Sequence, residues 1–177
     1  MSNSPSVTES QINQAVGDWI TSTLGIPAAD MVQAHENRTP SPNAQYVQMD
    51  TILGTRLATN MVTDDPVDGT ETQIQPMKVT VQLDLFGGSA NDWSRVLSTL
   101  FRSEVATAFF AAYAGGNFIP LYCDDPRHMP VINGENQYEL RWMLSLYFQC
   151  NVAVVASMQF MSTAVVEIVN VDAEYPH

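Results

Sequence analysis

The sequence has few basic residues. Only 7 of its 177 residues are Lys or Arg, against 19 Asp or Glu, and the net charge is −12. Proteins that wrap nucleic acid tightly need cations to displace the counterions of the phosphates. The scarcity of basic side chains therefore argues against a protein of that class, and an acidic surface repels DNA instead. A charge that serves only solubility is the simpler alternative.

The sequence also has few cysteines and no long apolar run. Cys123 and Cys150 are its only cysteines, and they lack the CxxC spacing of a zinc framework. We expect both to be free, buried thiols in a reducing compartment. No apolar run approaches the roughly 20 residues of a membrane span. The start, MSNSPSVTESQ, lacks the features of a signal peptide, so we expect a soluble protein made in the cytosol, without a membrane partner.

What is present is enough apolar sequence for one domain. Hydrophobic residues make up 45% of the chain, and a chain of this length can bury roughly 70% of its unfolded surface. We predict a single domain over 1–177, in which 1–8 and 173–177 are extended ends.

The first predicted helix covers residues 8–24. Apolar residues recur there at intervals of three and four, which places them on one helix face. Thr8 and Gln11 fit a capping box, and Gly25 is a typical C-terminal stop.

A second helix is predicted after the Gly-Gly of VTVQLDLFGGSANDW, residues 79–93. Ser89 is its candidate N-cap, and its apolar face extends to about Tyr113. A strand, a glycine turn and a helix together can cradle phosphate, but a P-loop needs a lysine after the glycines. No lysine follows, and Asp92 would repel phosphate in the first helical turn. We interpret the turn as a structural corner.

Strand patterns occupy much of the remaining chain. Residues 37–45 contain two prolines and predict an irregular connection, and 64–72 predict a solvated acidic loop. Strands adjacent in sequence favour an α+β fold: a largely antiparallel or mixed sheet flanked by two main helices. The predicted strands cover 31–36, 46–53 with a continuation toward Met61, 78–86, 138–150 with all of its alternate apolar residues on one buried face, 152–161 and 164–171.

No motif in the sequence indicates an enzyme. The segment from Cys123 to His128 gathers Cys, Asp and His side chains, but Asp-Asp-Pro is common in turns and nothing supplies an oxyanion hole. The spacing of Asp64, Asp65 and Asp68 departs from that of a calcium loop. We therefore predict no catalytic residue, no metal and no cofactor.

Several segments together resemble the neck and tail terminator proteins of contractile-tailed and related phages. They are the opening helix ending in ITSTLGIP, the pair of strands in VQAHENRTPSPNAQYVQMDTILGTR, the strand, turn and helix of VTVQLDLFGGSANDWSRVLSTLFRSEVA, and the late strand YELRWMLSLYFQ. The resemblance covers about residues 10–172 and is one of order and pattern.

The resemblance implies a structural protein of the virion tail or neck, made in the host cytoplasm. Such proteins form a homo-oligomeric ring, usually a hexamer, that caps the tail tube and stops its polymerisation. The ring also offers an attachment surface for the head-neck complex. The implied partners are further copies of the chain, the tail tube protein, neck or head-tail adaptor proteins and, as a further candidate, the sheath. DNA only passes through the channel.

We expect Asp64, Asp65, Asp68 and Glu71 to lie in a loop that faces the lumen or a partner ring. Acidic side chains there would let DNA slide past through repulsion. Burial of this loop in the core of a monomer would contradict the hypothesis.

Two alternatives remain open at the level of sequence. A head-tail joining or adaptor protein belongs to the same class. In a different class, a small soluble enzyme or ligand-binding domain would use the segment from Cys123 to His128. A stable monomer that retains a stoichiometric metal or ligand would favour this second alternative.

Overall fold

The computed structural model describes residues 3–35, 45–113, 116–132, 134 and 136–158. Within these ranges the helices are α1 (Glu9–Leu24), α2 (Ala90–Phe101) and α3 (Glu104–Ala111), with a 3-10 turn at Ala28–Asp30. The strands are β1 (Met31–Gln33), β2 (Tyr46–Arg56), β3 (Met61–Asp65), β4 (Thr70–Phe86), β5 (Phe118–Cys123), β6 (Arg127–His128), β7 (Val131–Ile132), β8 (Tyr138–Glu139) and β9 (Arg141–Ser157).

One mixed sheet organises the fold. Strands β1, β2, β4, β9 and β5 lie side by side in that order, while β3 pairs with β4 and β6 pairs with β9. The β1–β2 pairing is parallel, and the other pairings of this sheet in the described ranges are antiparallel. The predicted α+β class is confirmed. None of the helices in these ranges is long and apolar enough to cross a membrane.

Helix α1 forms as predicted, because its ends are capped by its own sequence. The Thr8 side chain accepts a hydrogen bond from the Gln11 backbone, and the Gln11 side chain accepts one from the Thr8 backbone. At the other end Gly25 adopts φ 67°, and its N–H donates to the Thr21 carbonyl. This left-handed backbone is the conformation that glycine supplies at little cost.

The second predicted helix is wrong as one continuous element, because it breaks at Arg102 and Ser103. The Ser103 hydroxyl donates to the Leu100 carbonyl and accepts from the Val105 N–H, which begins α3. Residues nine apart on one helix point about 180° apart. Because the chain breaks between them, both Phe101 and Phe110 enter the core. Ser89 occupies the predicted N-cap position of α2 but makes no capping side-chain bond.

The core lies between the helices and one face of the sheet, and aromatic side chains fill its centre. The Trp19 ring meets Phe101 and Phe110 at centroid distances of 5.5 and 5.7 Å. Phe148 stacks on Phe118 at 4.3 Å. Edge-to-face and offset contacts of this kind add roughly 0.5–1.5 kcal/mol each beyond the buried area.

Strands β4 and β9 extend well beyond this core. Their paired ladder runs from Phe86↔Arg141 to Thr70↔Ser157. Alternate residues are buried over 144–150 and every residue of 79–86 except Gln82 is buried, whereas no residue of 61–76 or 151–158 is buried. We call residues 61–76 and 151–158, which comprise β3 and the outer parts of β4 and β9, the arm. The remaining described residues are the body.

Several strand predictions need correction. The strands predicted over 138–150 and 152–161 are one element in the described residues, because β9 continues without a break to Ser157. Strand β2 ends at Arg56 and does not continue to Met61, which begins β3.

Tyr138 and Leu140 do not join the buried face of the late strand, because β9 begins at Arg141 and the Leu140 carbonyl instead accepts a hydrogen bond from Gly87. Strand β4 also begins at Thr70 rather than at 78, so the predicted loop over 64–72 is a hairpin.

Several predictions fall outside the described residues. They concern most of the connection over 37–45, the strand over 164–171 and the extended end over 173–177. Of the predicted N-terminal extension, the Ser6 N–H donates to the Ala153 carbonyl, and Val7 is buried.

The two serines at the starts of α2 and α3 provide a matched test of the helix break. We expect Ser103→Ala to lower the free energy of unfolding by about 1 kcal/mol, because it removes the cap of α3. Ser89→Ala should change it by no more than about 0.3 kcal/mol, since Ser89 makes no capping bond. Urea titration followed by circular dichroism measures both, and equal losses would contradict the break.

Candidate functional site: the acidic arm

The Gly-Gly turn after β4 is a corner. Gly87 adopts φ 99°, and its N–H donates to the Leu140 carbonyl at 3.2 Å. The Trp93 N–H donates to Ser89, and the exposed Asp92 lies in the first turn of α2. An amide that is already bonded and a nearby carboxylate do not suit phosphate. The geometry agrees with the interpretation made from sequence.

The side chains between Cys123 and His128 point to separate places. The Cys123 thiol is buried and lies 3.5 Å from the Ser98 carbonyl, and Asp124 accepts a hydrogen bond from the Tyr147 hydroxyl. The His128 ring stacks on Trp142 at 5.1 Å. Across the described part of the chain, no three His, Cys, Asp or Glu side chains come together as metal ligands would. The side chains of Cys123, Asp124 and His128 therefore do not converge on a common site.

Burial also makes the two thiols poor nucleophiles. It raises the pKa of Cys123, and this effect exceeds the opposing influence of Arg102. It raises the pKa of Cys150 from 9.0 to about 11. Because the thiolate is the reactive form, both cysteines act as small core residues.

The four predicted acidic residues lie together at the end of the arm. Asp64 and Asp65 are the last residues of β3, and Asp68 lies in the turn that follows. Glu71, the second residue of β4, lies directly opposite Asp64. The three aspartates are exposed and Glu71 is half-buried. The structure thus brings the four residues together outside the core, and the outcome that would have contradicted the hypothesis does not occur.

The turn itself is well ordered by local hydrogen bonds. The Asp65 carboxylate accepts from the backbone N–H groups of Val67 and Asp68, at 3.0 and 3.2 Å. Gly69 adopts φ 62°, which closes the hairpin. The solvated loop predicted over 64–72 thus contains a tight turn, in which the Val67 side chain is 91% exposed.

The charge of the arm is not compensated locally. Residues 61–76 and 151–158 contain no Lys or Arg, and Asp64 faces Glu71 across the ladder. Like charges directly opposite each other on paired strands are destabilising. Such a local conflict between sequence and fold is typical of functional sites, where another requirement decides the residue.

Of the apolar part of the arm, the sequence interpretation identified only the β-rich run over 152–161 and missed the apolar side chains of β3. Met61, Val62, Val155 and Met158 are between 43% and 59% exposed. The available signal was a hairpin pattern: strand-forming residues on both sides of Asp-Pro-Val-Asp-Gly. The acidic composition of 64–72 led to the prediction of a loop, so the strands on which these carboxylates lie were not predicted.

By contrast, the buried ion pair of the body has a structural role. An Arg141 nitrogen lies 2.7 Å from an Asp84 carboxylate oxygen on the sheet face away from the helices. The Gln82 amide donates to the same carboxylate, and the guanidinium lies over the Phe86 ring. With these partners the pair joins β4 to β9, while the buried Arg141 Nε has no hydrogen-bond partner among the described residues.

The thiols offer a test between a core role and a catalytic role. We expect iodoacetamide to modify both cysteines at about pH 8 at least about 100-fold more slowly in the folded chain than in urea. Since the folded-state pKa of Cys150 is raised, its burial stabilises the fold below pH 9 and this contribution is lost as the pH rises through about 11. Mass spectrometry locates the modification, and rapid labelling of folded Cys123 would restore the enzyme alternative.

Comparison with known proteins identifies the family. No curated protein matches the chain. One solved structure aligns over 89% of this chain and 99% of its own, with 15% identity and a TM-score of 0.45, a similarity too low to carry an argument. A family model described as phage neck terminator protein matches residues 10–176. The family consists of structural proteins of the phage neck, which associate with other neck and tail proteins. Because the match spans nearly the whole sequence, this chain belongs to the phage neck terminator protein family.

Proposed function

We propose that copies of this chain assemble into a ring, a hexamer in the simplest case, that caps the tail tube and stops its polymerisation. The ring provides the attachment surface for the head-neck complex and leaves a channel for DNA. Its partners are the tube protein, the neck or adaptor proteins and, as a further candidate, the sheath. The chain is made in the host cytoplasm and functions in the virion.

The observation that carries the proposal is the division of the chain into a packed body and an unburied arm. The body contains the aromatic core, whereas the arm contributes no buried residue. An extended, partly apolar element without a core of its own is a liability in a monomer. In a subunit of an assembly the same element supplies contact surface.

The four acidic residues at the end of the arm (Asp64, Asp65, Asp68 and Glu71), here called the acidic tip, support the proposal of a channel for DNA. Each copy carries four carboxylates within one hairpin and no neighbouring cation in the arm. A ring would repeat this charge around its axis, so duplex DNA would be repelled from the wall instead of binding to it. The same residues could instead face a partner ring, and the two placements differ in what their replacement changes.

Phage particles that lack this protein test the terminator role. We expect tubes of uncontrolled length in electron micrographs, and tails of uniform length when the wild-type protein is supplied in trans. Normal tails detached from heads would contradict termination and support the joining alternative.

Charge reversal at the tip tests the channel. We expect rings of Asp64→Lys/Glu71→Lys to bind duplex DNA at low salt, whereas wild-type rings do not, because the wall then attracts phosphate. Asp65 is left unchanged since its carboxylate orders the turn. Filter binding at several salt concentrations measures the effect.

The matched control for this test is Asp92→Lys/Glu104→Lys, which also reverses two charges, both exposed, at the starts of α2 and α3. Tip-reversed rings that bind no more DNA than control rings would exclude a lumenal tip. A loss of head attachment in the tip variant alone would then assign the tip to a partner ring.

A further inference from the structure

Among the residues that the structure describes, the outer edge of β9 is only partly covered. The backbone N–H of Asn151 donates to the Asn117 carbonyl, and Ala153 exchanges hydrogen bonds with Ser6. Outward-pointing amides alternate along a strand, so the next ones belong to Val155 and Ser157. Within the described residues these two have no backbone partner.

The opposite edge of the arm likewise has no second pairing strand in the part of the chain that the structure describes. In the described ranges β3 pairs only with β4. Because hydrogen-bonded pairs alternate along an antiparallel ladder, the amides of Met61, Thr63 and Asp65 point toward β4. The amides of Val62 and Asp64 therefore point outward. They too have no backbone partner among the described residues.

The two open edges match in position and direction. Val62 and Val154 both lie opposite Gln73 of β4, one on each side, so the edges cover the same stretch. Because β3 and β9 both run antiparallel to β4, they run parallel to each other. Rotation about a ring axis would bring β3 of one copy alongside β9 of the next in the same direction.

Charge selects which edges can pair. Two β3 edges would bring Asp64 and Asp65 of two copies together, which like-charge repulsion disfavours. The segment 154–158 of β9 carries no charge, and Val155 is 48% exposed. The acidic edge therefore pairs more favourably with the uncharged edge than with itself.

We propose that β3 of one copy adds to the outer edge of β9 of the next copy, so that the arms join the ring into one continuous sheet. This inference rests on the proposed ring. The contact is head-to-tail, and repetition of such a contact gives a closed ring when the rotation closes. Each junction covers the two edges that would otherwise be exposed to aggregation.

In a parallel pairing, a residue whose amide points toward the partner strand lies beside a partner residue whose own amide points away from the junction. Val62 of one copy would therefore lie beside Val154 or Ala156 of the next, with the side chains on the same face. Pairs of cysteines at these positions report the contact. The native Cys123 and Cys150 are buried and do not interfere.

The first test uses proline at the edge. Val62→Pro removes an N–H that is unbonded in the described chain, and an edge strand tolerates proline at such a position. We expect the isolated subunit to melt within about 4 °C of the Val62→Thr control. We expect the fraction in rings, measured by native mass spectrometry at equal concentration, to fall at least about tenfold. Equal ring fractions for the two variants would overturn the edge pairing.

The second test does not depend on the proline variant folding. Oxidation of Val62→Cys/Val154→Cys or Val62→Cys/Ala156→Cys should give a ladder of covalent multimers that ends at the ring size. Each single variant should give no ladder. Covalent dimers from Val155→Cys alone would overturn the proposal in favour of a symmetric β9–β9 contact.

The outcomes separate this inference from the proposed function. A wild-type chain that stays monomeric even with tail tubes would contradict the ring itself. Wild-type rings that give no ladder with either cysteine pair, and that tolerate Val62→Pro, would leave the ring in place and overturn only the pairing of β3 with β9.

Discussion

The antiparallel ladder between β4 and β9 joins all residues from Thr70↔Ser157 to Phe86↔Arg141. At one end its buried side chains, among them Leu83 and Leu146, belong to the same hydrophobic core as the helices. At the other end the same two strands continue without a helix layer and carry the arm. One ladder therefore joins the packed body to the exposed arm through continuous backbone pairing.

The stability of a single chain and its proposed assembly favour different residues along this ladder. The body satisfies the demands of a monomer: a capped α1, an aromatic core and the buried Asp84–Arg141 pair. The arm does not, because it has opposed carboxylates, exposed valines and two edges without a backbone partner among the described residues. These violations are concentrated in one element, as expected when residues are selected for contacts between copies rather than within one. In the proposed ring the acidic residues would face DNA or a partner ring, and the apolar edges would contact the neighbouring subunit.

Local signals in the sequence predicted much of the body. The capping box at Thr8 and the glycine stop at Gly25 depend on nearby residues, and both were confirmed. The strand predicted over 78–86 is the inner part of β4, but Thr80 and Asp84 on its second face are buried as well. The break at Ser103 was missed because the apolar pattern continues through it, and only the need to bury both Phe101 and Phe110 requires it. The acidic cluster was located from composition, but its hairpin geometry was not, since β3 is fixed by pairing with β4. Open edges are a property of sheet order, and no short window of sequence contains that information.

Hydrogen exchange measured on the free subunit and on the assembled neck tests most directly the claim that the arm is the assembly element. The account predicts that amides of the body strands, over 79–86 and 144–150, are protected in both states, because the core does not change. Amides at the arm edges, including Val62, Asp64 and Val155, should exchange rapidly in the free subunit and become protected on assembly. Protection that appears instead on the outer surface of α2 and α3, with arm edges that still exchange rapidly, would contradict the account.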